Sequence, residues 1–290
     1  MKRTVIIFCL LATAYSGLQA QTKDSIDVSQ FVAVYDFVTN TKDKDGGAAT
    51  DSVQLAVVVG THAAKCMEFN RTMMEDFGEG RNRDYQYGEW NARKYNLPVL
   101  FVNEPEGEVS AFDKIAPNRF FVSEPLPDFG WTLASDTMTI CGYPCLKAVG
   151  KYGGRTWTAW YSEELAVSFG PWKLCGLPGM ILRADDGDGV FSFRLVGLMQ
   201  KQATMKYFSK NGYKDVPRNK FIKQRNKVFC VKQYVQNPHY YIPEGVYSQL
   251  HIIEMWPGGP EPPANEKLSV VATDMIIPKA VNVYQPLELK

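Results

Sequence analysis

A chain of 290 residues, 45% apolar and 13% aromatic, has ample material for a core, and its length suits one β-rich domain or two smaller ones. Its 32 Lys and Arg stand against 31 Asp and Glu, so no global charge draws it to nucleic acid or to an anionic membrane.

Residues 1–20 join a basic start, Lys2 and Arg3, to an apolar run over 5–12 and a small-residue exit ending at Ala20. The run is far short of the roughly twenty apolar residues that a membrane span needs, and the order of charge, core and cut is that of a secretory signal peptide. Cys9 lies inside the apolar run rather than just after a cut, which argues against a lipid anchor. The expectation is cleavage near Ala20 and a single exported domain over 21–290, periplasmic or extracellular, with no transmembrane segment. The mature part would carry 30 basic and 31 acidic residues.

From there the hydrophobic period is mostly two. Residues 31–38 and 53–59 alternate around a polar stretch at 40–51, as in a hairpin with a long solvated loop. Further short strands are predicted at 99–102, 120–123, 131–133, 145–149, 155–162, 180–184, 190–197, 247–255 and 268–277. One helix interrupts them over 215–236: Asp215 can cap it, Pro217 suits its first turn, and Phe221, Ile222, Val228, Phe229 and Val235 recur at helical spacing before Pro238. Its other face carries Arg218, Lys220, Lys223, Arg225 and Lys227, read as solvated. A Pro-rich connection at 257–263 precedes a C-terminal strand or tail. The strands argue for a mainly β fold, an antiparallel sheet that is curved or sandwiched, accompanied by that one principal helix; the open, half-barrel-like form of the sheet is what the resemblance described below implies.

Five cysteines follow the cut: Cys66, Cys141, Cys145, Cys175 and Cys230. Export permits disulfides, an odd number leaves a thiol free or paired with another chain, and no pairing follows from the spacing. Cys141-Gly-Tyr-Pro-Cys145 has three residues where a redox dithiol has two, and it suits a turn; one close pair does not make a zinc site. His62, His239 and His251 are scattered, so no catalytic group, metal or cofactor is assigned. Asp185-Asp-Gly-Asp-Gly189 lacks the spacing of a calcium loop and reads as a hairpin turn on positive-φ glycines. Asn70-Arg-Thr72 fits a glycosylation acceptor by pattern alone.

The aromatic strand Arg155-Thr-Trp-Thr-Ala-Trp-Tyr161 is the richest stretch. Alternation puts Arg155, Trp157 and Tyr161 on one face and Trp160 on the other. Two buried faces would explain it; so would a concave surface holding an apolar or aromatic ligand.

That strand, followed by Gly170-Pro-Trp-Lys-Leu-Cys-Gly-Leu-Pro-Gly-Met-Ile181, closely resembles the GLPGLI family, the Porphyromonas-type exported domain of unknown function. Trp131 and Ile140-Cys-Gly-Tyr-Pro-Cys-Leu-Lys-Ala148 fit the same pattern. The likeness is strong over 131–181 and looser over 31–238. Met180 stands where the family has leucine, a volume-conserving exchange. Cys145 falls on a family cysteine, and Cys141 and Cys175 depart from the pattern. The resemblance implies a signal peptide, one exported β-rich domain and no catalytic residues to carry over. By analogy of element order it is similar to the open half-barrels of periplasmic lipoprotein carriers.

The motif residues Gly170, Pro171, Gly176, Leu177, Pro178, Gly179, Met180 and Ile181 are expected to shape the backbone and fill the core. The functional expectation is a non-enzymatic binding or accessory module of the cell envelope. Its aromatic groove, lined by Arg155, Trp157, Trp160, Tyr161 and Trp172, would take an apolar small molecule, lipid or peptide. Alternatives are a secreted hydrolase, a redox protein using Cys141 and Cys145, or a partner of an outer-membrane complex.

Overall fold

Alternation decides which way the strands face. The computed structural model describes residues 25–42, 46–78, 97–115, 118–229 and 286–289. Its strands are β1 (Ser25–Val28), β2 (Phe31–Lys42), β3 (Ala48–Val59), β4 (Ala64–Glu68), β5 (Val99–Val102), β6 (Glu108–Ile115) and β7 (Asn118–Pro125). They continue with β8 (Thr132–Ile140), β9 (Tyr143–Tyr152), β10 (Arg155–Ser162), β11 (Met180–Asp186), β12 (Phe191–Met199), β13 (Thr204–Lys206) and β14 (Lys214–Asp215). The helices are α1 (Phe69–Phe77) and α2 (Arg218–Phe229).

Twelve strands form one open sheet in the order β14-β7-β6-β5-β4-β3-β2-β12-β11-β10-β9-β8, antiparallel throughout except for the short parallel pair β14 and β7. β1 and β13 pair separately. The mainly β, open antiparallel expectation is met. β1, β4, β6, β13, β14 and α1 are additions to the predicted elements, and the strands expected at 247–255 and 268–277 lie outside the described residues, as do residues 1–20, expected as a signal peptide, and the expected Pro-rich connection. No helix among the described residues is long and apolar enough to cross a membrane.

The curl of the sheet can be read from one side chain. Trp172 donates its backbone N–H to Cys66 Sγ on β4 at 3.3 Å, and its ring centroid lies 5.9 Å from that of Tyr152 on β9. β4 and β9 are six strand intervals apart, about 29 Å in a flat sheet. A single residue touches both only because the sheet wraps around it. Ladder irregularities fall in β8, β10 and β12, and a bulge increases local twist.

Alternate residues of the strands, such as Ala33, Tyr35 and Phe37 of β2, make the core on the concave side. The other face of β2 to β7 makes a second core with Val32, Val58, Phe101, Phe112 and Phe121, covered by α1 and Met205. α1 begins where the Glu68 carboxylate accepts the Arg71 N–H, and ends at Gly78 with φ 65°. Thr72 is fully buried there, its hydroxyl donating to the Glu68 carbonyl, so the glycosylation pattern falls in a packed helix.

Inside this second layer Lys65, 1% exposed, donates to both carboxylate oxygens of Asp76 at 2.7 and 3.0 Å, with its ammonium 5.0 Å from the Phe208 ring. Removing one member strands a buried charge, whereas replacing both by apolar groups does not. Asp76→Ala is expected to lose about 3–5 kcal/mol in urea unfolding, and Lys65→Met with Asp76→Leu to recover most of it. Equal losses in the single and double variants would show that the pair is not the source.

Two details of the helix differ from expectation. Asp215 belongs to β14, paired beside Phe121, and the helix starts at Arg218, so Asp215 does not cap it. The basic face is not wholly solvated either: Arg218 pairs with Glu124 and Glu288, and Arg225 with Asp113. Lys220 and Lys223 are exposed as expected.

Candidate functional site

The concave face holds a segment of the chain itself. Residues 163–179 leave β10, cross the hollow and return into β11, fixed by Gly176 N–H to Ser168 O at 3.1 Å, Met180 N–H to Leu165 O at 2.9 Å, and Trp131 Nε1–H to Cys175 O at 2.8 Å. Phe169, Trp172, Leu174, Cys175 and Leu177 are buried along it. Gly176 has φ 87°, and a Cβ on Gly179 would fall 2.2 Å from the Ser162 carbonyl oxygen. A Cβ on Gly170 would come 2.9 Å from Ile181 Cβ. Pro171, Leu177 and Pro178 belong to the same crossing, and Met180 and Ile181 begin β11, where Tyr35 Oη–H donates to Ile181 O at 2.6 Å.

The five residues expected to line one groove are therefore divided. Trp157 and Trp172 pack on each other, centroids 5.5 Å apart, and Trp172 is stacked with Phe193 while Trp157 is tilted against it, in a filled core. Tyr161 is buried beside them, at 1% exposure. Trp160 points to the opposite, convex face, where the Lys147 ammonium sits 5.8 Å from its ring. The hollow that would have been an aromatic groove is occupied because the 163–179 crossing inserts Trp172 into it. Among the described residues the Trp157 indole N–H meets no acceptor.

Arg155 leads elsewhere. Its guanidinium, buried and 4.8 Å from the Phe191 ring, donates to Asp186 at 2.6 Å and Asp188 at 3.1 Å, and twice to the Pro286 carbonyl, at 2.8 and 3.2 Å. Asp186 also accepts the Phe191 N–H at 2.8 Å, and Gly189 has φ 70°, so 185–189 is the hairpin turn expected. Of its glycines only Gly189 has positive φ, and Asp186 is a buried ion-pair partner rather than a solvated turn residue.

Pro286 marks one end of a cleft of about 40 Å³ between the sheet, the crossing segment and α2. Its apolar walls are Leu97, Ala111, Val122, Trp172, Phe221 and Ile222, and its polar floor is Glu124, Lys173 and Glu288. Lys173 Nζ pairs with Glu124 and, at 2.5 Å, with Glu288; Arg218 reaches Glu124 at 2.7 Å and Glu288 at 2.5 Å. Burial pulls the Lys173 ammonium down, but Glu288 and Glu124 outweigh it and hold the group above the ordinary lysine value, so it is a cation and not a base at neutral pH. Burial pushes Tyr152, whose hydroxyl lies 3.4 Å from Glu124, up to about 12. Glu124, Tyr152, Lys173, Arg218 and Glu288 are thus joined in one network of ion pairs and hydrogen bonds.

Sequence reasoning missed Glu124, Tyr152, Lys173, Arg218 and Glu288. One signal was present: Glu124 follows Phe120 and Val122 at a spacing of two, so a carboxylate faces the core and requires a cation.

The thiols are separate, and all four described are free. Cys141 is exposed at the β8–β9 hairpin tip with φ 50°, whereas Cys145 is buried on β9 with its thiol pushed up by burial. That placement disfavours the redox alternative, which needs an accessible, acidic pair. Burial likewise pushes Cys66 up to about 12 and Cys175 up to about 11. In native protein, N-ethylmaleimide is expected to modify Cys141 well before Cys66, Cys145 and Cys175, which should react only on denaturation; peptide mass mapping reads the order. Cys230, His239 and His251 lie outside the described residues, and among those described no three His, Cys, Asp or Glu are grouped to hold a metal ion.

No protein-family model matches the chain, and no curated protein matches it. Among solved structures it is similar to two crystal forms of PNGF-II, at 16% identity with a TM-score of 0.43 and at 18% with 0.42. Each covers 68% of this chain but 34% and 33% of the other, so the chain spans about a third of the length of PNGF-II. It is also similar to a LolA superfamily protein from Nitrosomonas europaea, at 9% identity and a TM-score of 0.23, over 64% of this chain and 90% of that one.

Proposed function

We propose that the chain is an exported cell-envelope protein of the GLPGLI family and works as a binding module, holding an apolar ligand in the cleft between α2 and the concave sheet. The observation that carries the reading is the makeup of that cleft. Apolar walls from five separate parts of the chain converge on a buried floor where Lys173 is paired with Glu124 and Glu288, and the Leu287 side chain already packs against the first core there. The groove expected on the aromatic strand thus gives way to a neighbouring one that shares Trp172 and is lined at one end by Pro286, whose carbonyl Arg155 holds. The reading places α2 as the wall of the site, joined to the sheet through Arg218 and Arg225.

Native mass spectrometry of the protein purified from the envelope fraction tests it, together with quenching of tryptophan emission by a fluorescent fatty acid and by peptides. The expected result is one stoichiometric ligand, competed by the added probe, on a chain whose first residue is Gln21. A chain that carries no ligand and binds no probe defeats the reading.

A further inference from the structure

We infer that Pro286–Leu289 is a releasable plug: Leu287 holds the cleft shut, and an apolar ligand enters only as these four residues swing out. This rests on the binding reading above and adds how that site is controlled.

Space carries the argument. Pockets that take a small-molecule ligand enclose roughly 300–1,000 Å³. This cleft retains about 40 Å³, little more than the share of one water molecule. Pro286, Leu287 and Glu288 stand among its walls, and Leu287 packs against the first core from within it. The remaining walls are held by the sheet ladder, by α2 and by the bonds of the crossing segment, whereas 286–289 belongs to no strand or helix. It is the part of the wall that moves at least cost, and its far end, Leu289, is already 49% exposed.

Release strands no cation. Arg155, which donates twice to the Pro286 carbonyl, keeps Asp186 at 2.6 Å and Asp188 at 3.1 Å. Lys173 keeps Glu124 and the Trp172 ring, 5.8 Å away. Arg218 keeps Glu124 at 2.7 Å and the Tyr152 ring at 5.7 Å. Each cation that grips the segment is thus also gripped from the body of the fold, so the heavy cost of a buried charge left alone does not arise. The Leu289 N–H, which donates to the Gly153 carbonyl at 2.6 Å, and the Glu288 carboxylate pass into water. What release loses is the burial of Leu287, and an apolar ligand in its place restores that burial.

The test uses the full chain and a fluorescent fatty acid, whose carboxylate can take the place of Glu288 beside Lys173 and Arg218. Hydrogen exchange of the peptide over 286–290, read by mass spectrometry, is expected to quicken several-fold when the wild type is saturated with the acid. Glu288→Lys turns the plug against Lys173 and Arg218, and should bind the acid about tenfold or more tighter than wild type. Glu288→Gln serves if the reversal does not fold, as judged by thermal melting. Binding of the acid with unchanged or slower exchange at 286–290, or with equal or lower affinity in the variant, overturns the plug and leaves the binding-module reading standing. If neither wild type nor variant binds the acid, both fall.

Discussion

Replacing Trp172 by alanine is expected to destabilise the fold by about 3–5 kcal/mol, read from guanidinium unfolding. The indole is 2% exposed and lies among Trp157, Phe193 and Tyr152, at the point where the wrapped sheet closes on the crossing segment. Its neighbours come from separate strands already fixed in the ladder, so they relax little into the space left. Trp172 also has φ 56°, a left-handed conformation that costs a non-glycine residue about 1–3 kcal/mol. The packing of the ring outweighs that cost, and alanine would retain the cost while losing the packing. Glycine at 172 should therefore be no less stable than alanine, the reverse of the usual order for the two residues. A loss below about 1 kcal/mol for alanine would mean that Trp172 does not fill the hollow.

The same residue shows where the sequence was legible and where it was not. Strand alternation is local, and it divided Trp157 from Trp160 and foretold an antiparallel sheet, whose open form was implied only by the family resemblance. In the structure Asp113, Glu124, Arg155 and Asp186 are charges on core-facing positions, and each is met by an ion pair. Their partners were hidden because ion pairs such as Arg225 with Asp113, or Lys173 with Glu124, join residues far apart in sequence. No period carries that information. The filling of the concave face by 163–179 was equally invisible, since a run rich in Gly and Pro reads as a turn whether it lies over solvent or over a core. β4 was missed because Lys65 interrupts its apolar pattern, and its burial makes sense only once Asp76 of α1 is beside it. The basic stripe on α2 misled for the converse reason. Helical spacing sorts residues by face, but Arg218 and Arg225 reach around to carboxylates on β7 and β6.

Gly179→Ala is expected to lose about 3 kcal/mol or more, and Gly176→Ala about 1–3 kcal/mol, although the two glycines are three residues apart in one motif. The difference is one of mechanism. Gly176 has φ 87°, but an added Cβ would meet nothing closer than Trp131 Nε1 at 3.8 Å, so alanine there suffers only the backbone conformation. Gly179 has space for no side chain: its Cβ would lie 2.2 Å from the Ser162 oxygen, 2.5 Å from the Ser162 carbon and 2.8 Å from the Glu163 nitrogen. These are backbone atoms and cannot rotate away. Ser162 is in register with Met180, so relief requires the end of β10 to part from the start of β11 where the crossing segment both leaves and rejoins the sheet. Denaturant unfolding of the two variants should thus rank Gly179→Ala below Gly176→Ala. It should also show Trp172 emission shifted to the red in the Gly179 variant, because opening that junction loosens the segment that carries the indole. The opposite ranking would locate the motif's constraint in the turn at Gly176 rather than in the close passage at Gly179.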